Sequence, residues 1–259
     1  VCFLFDAFFS PKNENNEKIL GSDLIIVVSE SKKLPIPPIS SLILHKLGIL
    51  EKTIVLDIDS GCAGYVQALQ VVDSFFQNSL IKKAVIITTD AYSKYIERDD
   101  RSVSPIFGDG ASITILKNDN YTSIKSFHNG SDMEKFNFLQ INSNASNKLK
   151  MIGSEVFMFV KKNISSSVRE CFRQASFNKE EIDYFFFHQA SKLVIDELRQ
   201  DLDVSDTKSP FLIKETGNLV STSIPFLLHG FINELSDKKI ILSGFGVGLS
   251  WATILLDLK

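Results

Sequence analysis

The sequence predicts an α/β fold built on a parallel sheet, and three observations carry that expectation. Short apolar runs rich in β-branched residues alternate with segments of helical periodicity. The runs show little polar alternation, the pattern of strands covered on both faces. The first half also contains two successive strand–helix–strand units, which imply parallel pairing with right-handed crossovers.

The elements follow in order. Val1-Cys2-Phe3-Leu4-Phe5 is apolar, Asp6 interrupts it, and no basic region precedes it. It reads as the end of a helix in a longer chain rather than as a signal peptide. Asp23 to Val28 is a buried strand, followed by a loop punctuated by Pro35, Pro37 and Pro38. Ser40 to Leu47 is a helix that Gly48 stops. Thr53 to Asp57 is a second strand, and Cys62 to Gln77 a helix apolar nearly all round, hence central. Lys83 to Thr89 and Ser112 to Leu116 are further strands. The Asn-, Ser- and Asp-rich stretch from Lys117 to Lys150 is expected to hold short antiparallel strands, Tyr121 to Phe127 and Phe136 to Ile141. A long helix, Gly153 to Phe177, precedes the strand Asp183 to Phe187 and the helix Ser191 to Leu202. A helix from about Val220 to Leu235 and two strands, Lys239 to Ser243 and Leu249 to Leu256, close the chain. The theme is repeated, so the expected division is into two related halves, 1–120 and 121–259.

Composition narrows the function. Of 259 residues, 44% are hydrophobic and 23% charged, which excludes a disordered chain. The net charge of −3, with no basic block, argues against nucleic acid as a partner. No apolar run approaches the roughly 20 residues of a membrane span. Twenty-one Phe against one Trp predict bulky cores between layers. Three widely spaced cysteines form neither a disulfide framework nor a zinc site, so a cytoplasmic protein with reduced thiols and no metal is expected.

Three residues have settings that suit chemistry. Cys62 follows a buried strand and the turn Asp59-Ser60-Gly61, and it opens a helix. Unpaired N–H groups and the positive dipole end favour a thiolate there, and thiolate is the nucleophile. The alternative is a small buried hydrophobe, the reading preferred for Cys2 and Cys171 in helical apolar patterns. His188 ends a very apolar strand, where open α/β sheets place their ligand sites, and can move a proton or donate a hydrogen bond as the neutral ring. His45, His128 and His229 lie on helices or loops and read as surface or capping residues. Asn218, in Glu215-Thr216-Gly217-Asn218, has an amide that could donate to an oxyanion, but on its own it reads as a turn residue or a helix cap. Gly108-Asp109-Gly110 lacks a phosphate-loop Lys. Gly244 to Gly248 precedes a strand, so it is no dinucleotide fingerprint, although its N–H groups suit an oxyanion hole. The order Cys, His, Asn is also that of papain-like proteases, but the local signature of that family is absent.

Together these segments resemble the β-ketoacyl-acyl-carrier-protein (ACP) synthase III family of the thiolase superfamily. Asp59-Ser60-Gly61-Cys62-Ala63-Gly64-Tyr65 resembles its nucleophile motif and Phe107-Gly108-Asp109-Gly110-Ala111 its next motif. Phe187-His188-Gln189-Ala190-Ser191 resembles its His-Gln-Ala-Asn motif. Gly217-Asn218-Leu219-Val220-Ser221-Thr222-Ser223-Ile224-Pro225 resembles its Gly-Asn motif, and Gly244 to Trp251 its C-terminal turn. The motifs occur in the family's order over most of the chain. The resemblance implies a thiolase-like five-layer α/β/α/β/α fold of two halves and a homodimer. It carries the catalytic roles onto Cys62, His188 and Asn218, and the oxyanion hole onto the backbone N–H groups of Cys62 and Val247. Substrates would be acyl-CoA or acyl-ACP and malonyl-ACP, with CoA and ACP phosphopantetheine thioesters as substrates and no separate cofactor. The reaction would be a decarboxylative Claisen condensation yielding a β-ketoacyl thioester, as in fatty acid biosynthesis.

Three departures stand out. Ser191 replaces the family's Asn and Leu193 its Arg, a residue associated with docking the carrier. Val247 stands where many members have Gly. Members usually also carry a further N-terminal segment that holds the first strand and part of the CoA site, so this chain is expected to be N-terminally truncated, with a neighbouring strand left unpaired. Alternatives are an acyltransferase that moves the acyl group from Cys62 to an oxygen or nitrogen nucleophile, with His188 as base, and a non-catalytic partner subunit.

Overall fold

The structure is a computed structural model that describes residues 2–6, 19–32, 34–49, 52–118, 123–141 and 147–258. Its first sheet comprises β1 (Cys2–Asp6), β2 (Leu24–Val28), β3 (Ile54–Ile58), β4 (Lys83–Ala91) and β5 (Asp109–Lys117), in the order β1-β5-β4-β2-β3. Strands β3, β2 and β4 run parallel, and β5 is antiparallel to β4. The second sheet comprises β6 (Ser123–Ser131), β9 (Tyr184–Phe187), β10 (Lys238–Gly246) and β11 (Ser250–Leu258), in the order β6-β11-β10-β9. A small pair, β7 (Leu139–Ile141) and β8 (Leu149–Met151), stands apart.

Helices fill the spaces around these sheets. Helix α1 (Ile39–Leu47) covers the outer face of the first sheet, where Leu44 meets Ile25, Val27, Val85 and Ile87. Gly48 ends it in the left-handed conformation, as expected. Helix α2 (Gly61–Gln77) lies between the sheets beside α5 (Ser223–Gly230), with Val66, Leu69 and Leu227 buried among residues of both sheets. Helices α3 (Gly153–Ala175) and α4 (Lys192–Leu202) cover the far face of the second sheet. The result is the five-layer α/β/α/β/α arrangement of the thiolase fold. Strand β9 shows why the sequence needs so many Phe: Phe186 points into the central layer, Phe185 and Phe187 into the outer one. Burying each contributes about 1.5–3 kcal/mol.

Several expectations are corrected. Cys2–Asp6 is a strand, not a helix end, and it pairs antiparallel with β5 from Cys2↔Lys117 to Asp6↔Ile113. That pairing satisfies backbone groups that an open β5 edge would leave bare. The expected strand at Phe136 is a 3₁₀ turn over Met133–Phe138, and only Leu139–Ile141 is extended. Tyr121 lies outside the described residues, and the strand expected there is seen as β6. His128 therefore sits on a strand, with its Nδ1 3.0 Å from Ser167 Oγ. The long helix over 220–235 is broken into a 3₁₀ turn (Val220–Thr222), α5 and a second 3₁₀ turn (Ile232–Glu234). Val220 takes a left-handed φ of 53°, which an α-helix cannot contain.

Candidate active site

Cys62 is the second residue of α2 and sits at the C-terminal end of β3, where the chain turns through Asp59-Ser60. Gly61 before it has φ +42°, and a Cβ there would stand 2.4 Å from Glu30 Oε2 and 2.8 Å from Val247 Cγ1. Both space and backbone therefore demand glycine. From the other side the turn between β10 and β11 presses on the same residue. A Cβ on Gly244 would stand 2.4 Å from the Cys62 carbonyl oxygen, and one on Gly246 3.0 Å from Sγ. The strand end thus brings the Gly246 backbone up to the sulfur.

The thiol is buried, and this overturns the expectation of a ready thiolate. Burial, then the carboxyls of Glu30 and Asp90, push its pKa well above the ordinary value, while a hydrogen bond from its own backbone N–H lowers it. Helix-terminus stabilisation is typically 0.3–1 kcal/mol, less than one pKa unit, whereas full burial moves pKa values by several units. The free enzyme holds Cys62 as the thiol at neutral pH.

His188 follows β9 directly, and its backbone N–H donates to Ser243 O on β10 at 2.8 Å. Its ring stands edge-on to Phe245, centroids 5.5 Å apart at 88°. Burial lowers its pKa to about 3, so the imidazole is neutral. Nδ1 is enclosed without a hydrogen-bond partner among the described residues. Gln189 locks the following loop: Nε2 donates to Phe187 O and Pro210 O, and Oε1 accepts from Leu212 N. Ser191 accepts from Val194 N and caps α4.

Asn218 is positioned by the Phe107-Gly108 segment. Its N–H donates to Ile106 O at 2.7 Å, and its carbonyl accepts from Gly108 N at 3.0 Å. A Cβ on Gly108 would lie 2.0 Å from Thr216 O, so this glycine exists for close approach. Asn218 Oδ1 accepts from Val220 N at 2.8 Å and Ser223 Oγ at 3.4 Å. With its oxygen anchored, the amide has its Nδ2 left to donate. Asn218 thus caps a turn and also presents a donor.

Cys62, His188, Asn218 and Val247 line one cavity of about 330 Å³, closed off by apolar side chains such as Leu139, Val156 and Phe245. Leu193 stands at its border, 66% exposed. Cys171 is fully buried on α3 and does not line this cavity.

The sequence reading missed an acidic group beside the thiol. Glu30 and Asp90 follow or end the apolar strands β2 and β4. Asp90 Oδ1 accepts from Glu30 N at 2.9 Å and Ser31 Oγ at 3.2 Å, and its Oδ2 accepts from Ser221 Oγ at 2.5 Å. It ties the first sheet to the Asn218 segment. Burial raises its pKa despite these donors. The Tyr92 hydroxyl donates to Glu30 Oε2 at 2.5 Å, and Tyr92 lines the cavity with Cys62. The signal was a polar residue at the end of a buried parallel strand, the same signal that pointed to His188.

Known proteins share much of this sequence and its fold. The family model described as 3-oxoacyl-[acyl-carrier-protein] synthase III matches residues 56–133, and its C-terminal counterpart matches residues 172–258. A β-ketoacyl-[acyl-carrier-protein] synthase III of Acholeplasma laidlawii is 33% identical over 249 residues, covering 95% of this chain and 78% of that protein. One of Halalkalibacterium halodurans is 30% identical over 241 residues, 90% of this chain and 75% of the relative. Among solved structures, the 3-oxoacyl-(acyl carrier protein) synthase III of Pseudomonas aeruginosa PAO1 superposes with a TM-score of 0.85 at 25% identity, covering 92% of this chain and 77% of that one. The Thermus thermophilus enzyme gives 0.86 at 26%, covering 93% and 79%. The chain belongs to the β-ketoacyl-acyl-carrier-protein synthase III family.

Proposed function

We propose that this protein joins an acyl group, carried as a thioester on Cys62, to the two-carbon unit of malonyl-ACP with loss of CO2, forming a β-ketoacyl thioester for fatty acid synthesis. The observation that carries the reading is the single cavity shared by a buried thiol, a neutral imidazole and an anchored Asn amide.

In the first half-reaction Cys62 Sγ attacks the acyl thioester from CoA or ACP, the backbone N–H groups of Cys62 and Val247 receive the oxyanion, and as it collapses the donor's C–S bond breaks and the departing thiolate takes up the Cys62 proton. Malonyl-ACP then enters. His188 and Asn218 donate to its thioester carbonyl and stabilise the enolate formed as CO2 leaves. The enolate carbon attacks the acyl-cysteine. A neutral ring suits this role, because it donates without having to lose its proton.

The same neutrality weighs against the acyltransferase alternative. A histidine with a pKa of about 3 is a weak general base near neutral pH. We further read the protein as a homodimer.

Intact-mass measurement after incubation with a panel of acyl-CoA thioesters tests the first half-reaction, and CO2 release from malonyl-ACP tests the second. An adduct without CO2 release supports the acyltransferase. Neither adduct nor iodoacetamide labelling of Cys62 supports a non-catalytic subunit.

A further inference from the structure

Condensation leaves a proton to be found. As CO2 departs, the pair of its C–C bond forms the enolate. The enolate carbon bonds to the acyl carbon, and the acyl C–Sγ bond breaks with its electron pair on sulfur. Sγ must regain a proton each turnover, and in this site it needs one early. Burial that makes the Cys62 thiol a weak acid makes its thiolate a poor leaving group. His188, held neutral by burial, donates a hydrogen bond but has no spare proton to give.

We propose that Glu30 stores this proton and returns it to Cys62 Sγ through the Tyr92 hydroxyl when the β-ketoacyl product leaves. The inference rests on the condensation reading above. Its geometric basis is a short chain of groups. Glu30 Oε2 would stand 2.4 Å from a Cβ on Gly61, the residue preceding Cys62. The Tyr92 hydroxyl is 2.5 Å from Glu30 Oε2, and Tyr92 lines the Cys62 cavity. In the step, the Tyr92 O–H turns from Glu30 Oε2 toward Sγ and gives up its proton there, and the protonated Glu30 carboxyl, now the donor across the same 2.5 Å contact, passes its proton to Tyr92 Oη. Glu30 is left as carboxylate. It is recharged by water from a second cavity of about 450 Å³, which it lines with Asp59, Ser60 and Gln67.

The environment suits a stored proton. Burial raises the Glu30 pKa to about 8, Asp90 and Asp59 add to the rise, and the Tyr92 hydrogen bond and the Lys32 charge oppose it. Lys32 is largely committed to Asp59, 2.5 Å away. The groups facing Glu30 are thus Asp90 at the end of β4, Tyr92 and Tyr95 after it, Asp59 and Cys62 beside the start of α2, and Lys32 on its own loop. At neutral pH Glu30 is a carboxylic acid within this group.

The test is single-turnover condensation of acyl-loaded protein with malonyl-ACP from pH 6 to 9.5, following acyl-Cys62 by intact mass and CO2 separately. It uses the unsubstituted protein, Glu30→Gln and Tyr92→Phe. Gln keeps an acceptor for Tyr92, and circular dichroism checks both folds. The unsubstituted rate is expected to fall with a one-proton slope above about pH 8. Both variants accumulate acyl-Cys62 and release product about 10²-fold more slowly at pH 7, the lower end of the range of general acid catalysis. Glu30→Gln also lacks the alkaline fall. A Glu30→Gln protein that condenses within about twofold of the unsubstituted rate, with the alkaline fall intact, overturns the proton-return role alone. An unsubstituted protein that releases no CO2 overturns the condensation reading and this role with it.

Discussion

Gly246 leaves Cys62 no room for a neighbour: a Cβ at Gly246 would lie 3.0 Å from Sγ and 3.1 Å from the Cys62 Cβ. Gly246→Ala is therefore expected to slow acyl loading by roughly 10- to 100-fold, the kinetic equivalent of about 1–3 kcal/mol of overpacking. The rate of adduct formation by mass spectrometry checks this. Loading at the native rate would mean that the turn yields freely and does not hold the oxyanion donor in place.

On the proposed mechanism Cys62, His188 and Asn218 divide the reaction between them. Cys62→Ala is expected to abolish the acyl adduct. His188→Ala and Asn218→Ala are expected to form it and to lose CO2 release by about 10²–10³-fold, the effect of removing one oxyanion donor. Equal loss of loading in all three variants would contradict the division.

Thiol reactivity reports the electrostatics directly. Because burial and two carboxyls hold the Cys62 pKa well above its usual value, alkylation by iodoacetamide is expected to rise about tenfold per pH unit up to pH 9 without a plateau. Glu30 becomes a carboxylate only above about pH 8, so Glu30→Gln removes a negative charge from beside the sulfur there and raises alkylation in that range alone. A plateau below pH 8 in the unsubstituted protein would show that the helix terminus dominates after all.

Stability is expected to depend on pH through two opposed groups. The folded pKa of His188, about 3, lies below the ordinary 6.5, so its contribution is complete above pH 6.5 and is lost as pH falls toward 3. The folded pKa of Glu30, about 8, lies above 4.5, so its contribution is complete below pH 4.5 and is lost as pH rises through 8. Each slope is at most about 1.4 kcal/mol per pH unit. Calorimetric melting of Glu30→Gln against the unsubstituted protein should show the variant gaining relative stability from pH 5 to 8. A pH-independent difference would mean that Glu30 ionises normally.

Strand β3 supports the dimer reading. It forms one edge of the first sheet, its residues are only partly covered, and Ile54 is exposed. An apolar edge strand invites pairing with a second copy. Light scattering at micromolar concentration is expected to give twice the chain mass, and Val55→Pro, which cannot serve a ladder, to give a monomer. A monomeric unsubstituted protein would count against the homodimer.

Much of this molecule was legible in its order of residues. Buried strands such as Ile25-Ile26-Val27 have no polar face, and so announced a sheet covered on both sides. Cys62, His188 and Asn218 were each found by their place at the end of a strand or turn, yet none of them alone decided for chemistry. Only the fold puts them on one cavity. What escaped was of two kinds. The break at Val220 depends on Asn218 Oδ1 reaching the Val220 N–H, a local bond that periodicity does not encode. The Glu30–Tyr92 pair joins residues 62 positions apart, and the burial that changes the acid's character belongs to the assembled layers. The thiolate expectation failed for the same reason, since a helix start is local and burial is not.

Cys171 gives the protein an internal reference. It is sealed in the outer layer with 0% exposure, and burial pushes its pKa to about 12, while Cys62 borders a cavity. Of the cysteines whose side chains are described, Cys62 and Cys171 therefore present a thiol reagent with two separate gates. Modification at Cys62 counts visits to the pocket, and modification at Cys171 counts openings of the whole structure. The ratio of the two labels in one sample separates an inhibitor that blocks the pocket from a ligand that merely tightens the fold.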